Sequence, residues 1–205
     1  MTQIVNLKPA EIWKYFHEIL QIPRPSKKEE KIIQYLMEFG QRHKLETIRD
    51  EIGNILIRKP ATKGMENLQS VVLQCHVDMV CEKNSDVNHD FNVDPINAYV
   101  DGEWVKAKGT TLGADDGIGI AAQLAILASD TIKHGPLECL FTVDEETGLT
   151  GAFEMKPDFF KSKILINLDS EDEGELFIGC AGGIDTTVTF AYELEKVPSN
   201  YKAYR

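Results

Sequence analysis

Val71 to Lys83 reads VVLQCHVDMVCEK, and the fold follows from how that stretch ends. A short, nearly continuous apolar run, Val71 to Cys75, gives way abruptly to His76 and Asp78. Two further runs repeat the pattern. Leu137 to Val143 ends in Asp144-Glu145-Glu146-Thr147-Gly148, and Ile164 to Leu168 ends in Asp169-Ser170-Glu171. Runs of this kind suit central strands buried on both faces. Between the first two lies GIGIAAQLAILAS, Gly117 to Ser129, which is rich in Ala and Leu and is predicted as a buried helix. Strands alternating with helices predict an α/β three-layer sandwich around a central mixed, mainly parallel sheet.

Working outward, Pro9 to Leu20 has apolar residues at helical spacing, with proline at the start where it is tolerated. Ser26 is predicted as the N-cap of a second helix, with Glu29 completing a capping box and the helix fading near His43. Strands are expected at Glu46 to Arg49 and Asn54 to Arg58, joined by a turn at Glu51 to Gly53. His17 and His43 lie on or near helices without partners at ligand spacing and are read as structural or surface residues.

The chain has 205 residues, 42% of them hydrophobic, enough for a sizeable core. A net charge of -11 argues against nucleic-acid binding, because no basic stripe exists to neutralise phosphates. No apolar run approaches a membrane span of ~20 residues, and the first ten residues lack the apolar region of a signal peptide. Four cysteines without a CxxC pair fit reduced thiols in a cytoplasmic protein.

In open α/β sheets ligands bind outside the carboxyl ends of the strands. His76, Asp78, Asp144 to Glu146 and Asp169 are therefore expected on one rim, together with Asp115 and Asp116 of TLGADDGIG at the entry to the buried helix. Each piece alone has an ordinary reading: a strand-end histidine is often structural, and ADDG can be a helix N-cap. Together, converging carboxylates repel and need a counter-charge. No Lys or Arg lies within these motifs, the nearest in sequence being Lys83. Divalent metal is the remaining candidate. Mixed His and carboxylate ligation suits zinc, cobalt or manganese, and the number of carboxylates suggests two metals. Residues two apart on an extended segment share a side, so Asp78 can orient the His76 ring. Adjacent Glu145 and Glu146 point differently, so one can bind metal while the other serves as a base.

The motifs HVDMV, TLGADDGIG, DEETGLTGA and NLDSEDEGELFIGCAGG, in this order, resemble the M20 metallopeptidases, and among them the aminoacyl-histidine (Xaa-His) dipeptidases. The resemblance implies a zinc-peptidase-like catalytic domain holding two metal ions, usually zinc, with an inserted lid that often mediates dimerisation. Carried over, it makes His76 a ligand of one metal, Asp78 the acid that orients it and Asp115 the bridging ligand, joined to Asp116 by a cis peptide. Glu145 becomes the general base, Glu146 a ligand of the second metal and Asp169 a ligand of the first. The implied activity is hydrolysis of a small dipeptide, Xaa-His in particular, with no nucleic-acid or membrane partner and a homodimer formed through the lid. A tripeptidase, an aminoacylase or a metal-binding fragment without turnover stays open.

The resemblance also sets expectations for extent. Residues 1–184 would be the N-terminal part of the catalytic domain, and 185–205 the start of the lid, with a strand at Thr186 to Tyr192. The sheet would be truncated before completion. The family's second metal-binding histidine would fall beyond Arg205, and neither His89 nor His134 sits in a motif that replaces it.

Overall fold

In the computed structural model, which describes residues 3–170, 172, 174–180, 182–184 and 186–202, the three apolar runs lie side by side. The strands are β1 (Glu46–Arg49), β2 (Ile55–Lys59), β3 (Val71–His76), β4 (Ala98–Asp101), β5 (Trp104–Ala107), β6 (Leu137–Thr142) and β7 (Ile164–Asn167). The helices are α1 (Ala10–Leu20), α2 (Glu30–Arg42), α3 (Ala114–Ala128) and the short α4 (Thr150–Phe153). The main sheet has the order β1-β2-β6-β3-β7. β6 and β7 both run parallel to β3, with Val71 opposite Leu137 on one side and Ile164 on the other. β2 is antiparallel to β1 and to β6, so β1, β6, β3 and β7 point one way. The sheet is mixed and mainly parallel, as the sequence predicts.

Parallel pairing fixes where the polar strand ends go. His76 closes β3, Val143 to Glu146 follow β6, and Asp169 follows β7, all at one edge of the sheet. A parallel connection needs a crossover, and α3 sits between β3 and β6 in sequence, packing against β3 and α1.

Alternation on the strands divides the core. Ile55, Ile57, Cys75, Cys139 and Phe141 pack on one face against Phe16, Ile19, Ile32, Leu36, Phe39, Ile120 and Leu124 of the helices. Leu56, Val72 and Leu140 face the other way, under Met155, Phe159 and Phe160. Burial on both faces is why these runs carry so little polar alternation. At the edge, β7 is different: Ile164, Leu165 and Ile166 are 39%, 49% and 43% exposed. All four cysteines are free.

Three local expectations change. Ser26 does not cap α2, which begins at Glu30; its hydroxyl donates to Asp78 instead. A long-range buried acceptor outbids the local cap. The helix predicted from Gly117 is assigned from Ala114, but Asp115 and Asp116 have non-helical backbone, so the regular turns begin where predicted. The hairpin β4–β5 is not among the elements expected from the sequence, although AYVDGEWVKA carries a two-residue Gly102-Glu103 turn between alternating residues, with Gly102 at φ 62° in the first turn position.

The chain divides into two units, Met1–Glu171 and Asp172–Arg205. Within the second, Thr186 to Tyr192 forms no strand among the described residues, and the rings of Phe190 and Tyr192 stack at 6.3 Å. An extended segment counts as a strand only when another pairs with it. The boundary expected after residue 184 adjoins Asp185, which lies outside the described residues. No helix among the described residues is long and apolar enough to cross a membrane.

The two-sided core gives an expected contrast. Phe141→Ala empties a fully buried position and should cost about 3–5 kcal/mol in urea unfolding, whereas Leu165→Ala on half-exposed β7 should cost under about 1 kcal/mol. Equal losses would contradict the packing described.

Candidate metal centre

Asp78 is fully buried just beyond β3, and both of its oxygens are engaged. Oδ1 lies 3.3 Å from His76 Nδ1 and accepts the Glu145 N–H at 3.0 Å. Oδ2 accepts the Ser26 hydroxyl at 2.7 Å and the Glu146 N–H at 3.2 Å. Burial alone would raise this carboxyl. The hydrogen bonds from His76, Ser26 and Glu145 outweigh it and hold the pKa down at about 2.

His76 Nδ1 also lies 3.1 Å from the Asp78 backbone carbonyl, so Nδ1 is held by Asp78 on both counts and Nε2 faces the rim. Nε2 is 2.8 Å from Asp115 Oδ1 and 3.9 Å from Asp169 Oδ1. Ligand atoms of His76, Glu145 and Asp169 lie within 4.8 Å of one another, as do those of His76, Asp115 and Glu146. The two triads share His76. Thus the strand ends and the helix entry meet, and all six residues singled out in the sequence lie together.

The adjacent acids divide their work. Asp116 is buried, and its Oδ1 accepts the Gly119 N–H at 2.9 Å, capping the regular part of α3. Asp115, with a half-exposed side chain, faces His76. The peptide between them is cis. In the β6 turn, Asp144 takes a left-handed backbone (φ 51°), and its carboxylate accepts from the hydroxyls of Thr147 and Thr150. That turn is held from behind. The N–H of Val143 donates to Asn54 Oδ1, and the N–H of Asp144 donates to Glu29 Oε1, each at 3.1 Å. Gly151 is required here, because a Cβ would lie 2.5 Å from the Val143 carbonyl oxygen.

Glu29, Asp78 and Asp144 form a third, buried acidic group. Its carboxylates already receive backbone and hydroxyl donors, so it serves as scaffold.

Three residues of this scaffold were not legible in the sequence. Ser26 and Glu29 were read as a capping pair. Arg24 belongs to no motif, yet its guanidinium reaches the Val77 and Asp78 carbonyls at 2.9 and 2.7 Å. Arg24 is thus a cation set against this segment although it is far from it in sequence. The sequence signal available was IPRPS, an arginine fixed between two prolines. Among the described residues the other histidines take no part. His43 stacks on Phe39, His89 packs on Phe91, and His134 Nδ1 meets the Gly135 carbonyl.

The donor set fits a divalent cation. Asp115, Glu145, Glu146 and Asp169 have no Lys or Arg ion-pair partner among the described residues. Asp116 Oδ2 is buried without a hydrogen-bond partner. One imidazole nitrogen and several carboxylate oxygens within one ligand sphere suit zinc, cobalt or manganese.

No family model matches the chain. The cytosol non-specific dipeptidase of Escherichia coli (strain K12) is 50% identical over 205 residues, covering 100% of this chain and 42% of that protein. The crystal structure of aminoacylhistidine dipeptidase from Vibrio alginolyticus superposes with a TM-score of 0.83 at 55% identity, over 84% of this chain and 35% of that one. Aminopeptidase PepT from Bacillus cereus gives a TM-score of 0.67 at 25% identity, over 79% of this chain and 43% of that one. This chain thus spans about two-fifths of the length of the first of these relatives.

The electrostatics predict a pH response of the metal-free chain. Burial and neighbouring carboxylates push Asp116 up to about 7 and raise Glu145, Glu146 and Asp169. For His76, burial opposes protonation, but hydrogen bonds to Asp78 and Asp115 raise its pKa to about 9. Each of these groups binds its proton more tightly when folded, so stability falls as pH rises. The contribution of Asp116 is lost on the way up to about 7, and those of Glu145, Glu146 and Asp169 are lost above their ordinary carboxyl range. That of His76 is present below its ordinary value and lost through about 9. Asp78 works in the opposite sense: its stabilisation is lost only as pH falls through about 2. The urea midpoint of the metal-free chain should decline from about pH 5 to about pH 9, and a divalent ion should flatten that decline. A midpoint that climbs over this range would contradict the assignment.

Proposed function

We propose that this chain is part of an M20 peptidase and that it carries the dinuclear metal centre of a metal-dependent dipeptidase acting on small peptides, Xaa-His in particular. The observation that supports this most is the meeting of two triads at His76, one with Glu145 and Asp169 and one with Asp115 and Glu146, backed by Asp78. In this reading His76 and Asp169 would hold one ion and Glu146 the other, with Asp115 serving as a ligand shared by both sites. The ions are two divalent metals, zinc first, with cobalt or manganese next. When bound, such ions polarise the scissile carbonyl and lower the pKa of the attacking water.

The chain's own groups supply the rest. Asp78 fixes the His76 ring through Nδ1, so that Nε2 faces the rim. Its two oxygens also hold the backbone of Glu145 and Glu146, which sets where those side chains start. Burial, with Asp169 and Glu146 nearby, holds the Glu145 carboxyl above its ordinary range despite His76. A carboxyl raised toward neutrality is suited to take a proton from the attacking water and return it to the leaving amine. The proposal extends to residues 1–184 as part of the catalytic domain and 185–205 as the start of a lid through which a homodimer forms. It also extends to a cytoplasmic setting, the one named for the Escherichia coli relative.

A second reading, metal binding without turnover, is favoured by one observation: His76 is the single histidine brought to the site among the described residues.

The test separates base from ligand. Glu145→Gln should retain zinc, measured as bound metal per chain, and lower turnover of Xaa-His dipeptides about 100- to 10,000-fold. His76→Ala should instead release metal. Equal metal loss in both variants would sink the division of roles. Tripeptides and acylated amino acids assayed in parallel would show a tripeptidase or aminoacylase by faster turnover. Stoichiometric zinc with no hydrolysis of any substrate would establish the second reading.

A further inference from the structure

Arg24 is a buried cation without a carboxylate ion-pair partner among the described residues. It lies in the loop between α1 and α2, 2% exposed, among the largest fully buried side chains of the protein. Nη1 donates to the carbonyls of Val77 and Asp78, and Nη2 donates to the carbonyl of Gly113. The Arg24 carbonyl in turn accepts the Met79 N–H at 3.2 Å. A guanidinium is taken out of water at a cost that three backbone acceptors offset only in a fixed geometry.

What it joins gives the cost a purpose. Val77 and Asp78 directly follow His76 at the end of β3. Gly113 lies two residues before Asp115 at the entry to α3. These are separate segments, and their side chains meet at the rim, with His76 Nε2 2.8 Å from Asp115 Oδ1. One planar fork spans the two backbones behind that contact. Two glycines leave room for it. A Cβ at Gly113, where φ is 69°, would lie 2.6 Å from Arg24 Nη2, and a Cβ at Gly117 would lie 2.8 Å from the same atom.

We propose that Arg24 is a positioning residue: by bridging the β3 loop and the α3 entry it sets the spacing of His76 and Asp115, and so governs affinity for a divalent ion it does not touch. The inference rests on the reading of those two residues as metal ligands. The fork matters as well as the charge, because a lysine ammonium is a point donor that cannot hold both segments in one plane.

The experiment is a zinc titration of the folded 205-residue chain against a chromophoric chelator, for the unsubstituted protein, Arg24→Lys and Gly117→Ala. Urea unfolding and amide hydrogen exchange accompany each. Gly117→Ala keeps Arg24, favours the helix and displaces the fork. Both variants should bind zinc about 10- to 100-fold more weakly, the range for groups that orient metal ligands, with faster exchange near Gly113. A role in folding alone would lower the urea midpoint and leave the affinity of the folded chain unchanged, and that result overturns the proposal. If Arg24→Lys does not fold, Gly117→Ala decides: weakened binding supports the proposal and unaltered binding overturns it. No zinc binding by the unsubstituted chain would sink the metal reading itself, and this inference with it. Equal binding by all three would sink this inference alone.

Discussion

The carboxylate of Asp78 is the constraint on which the site depends. A buried charge is tolerated only when its lone pairs are matched by donors. Here the donors come from three places: His76 at the end of β3, Ser26 in the loop between the first two helices, and the N–H groups of Glu145 and Glu146 beyond β6. Satisfying one side chain therefore requires three distant segments to meet. The same contacts aim Nε2 of His76 outward and place the two glutamates beside it.

Around that hub, paired acids are separated by environment rather than by type. Asp115 and Asp116 are identical in chemistry, yet one faces His76 while the other caps α3 from the interior. The Glu145-Glu146 pair shares one backbone anchor but enters two different triads. Such splitting lets neighbouring carboxyl groups take different tasks. It also concentrates negative charge, and burial first, then that mutual repulsion, raises the pKa values of Asp116, Glu145, Glu146 and Asp169.

Much of the frame was readable because its signals are local or nearly so. The apolar runs at Val71, Leu137 and Ile164 became β3, β6 and β7, since a strand buried on both faces must be almost wholly apolar. That they end in His76, Glu145 and Asp169 was enough to expect one rim, because parallel strands bring like ends together. Local patterns misled where a distant partner competed. Ser26 and Glu29 match a capping box, but Asp78 and the Asp144 N–H claim them. Arg24 carries no motif, and nothing within a few residues shows that it donates to carbonyls 53, 54 and 89 positions away.

The sequence by itself determined the order of strands and helices, the acidic character of their ends and the identity of the side chains gathered there, because periodicity and strand direction are properties of short segments. The tertiary structure alone decided the scaffold behind those side chains: Asp78 as acceptor for Ser26 and for the N–H groups of Glu145 and Glu146, and Arg24 as a bridge between the β3 loop and the α3 entry. Each of those outcomes is a pairing between groups far apart in the chain, and which distant donor meets which acceptor is settled only when the core closes around them.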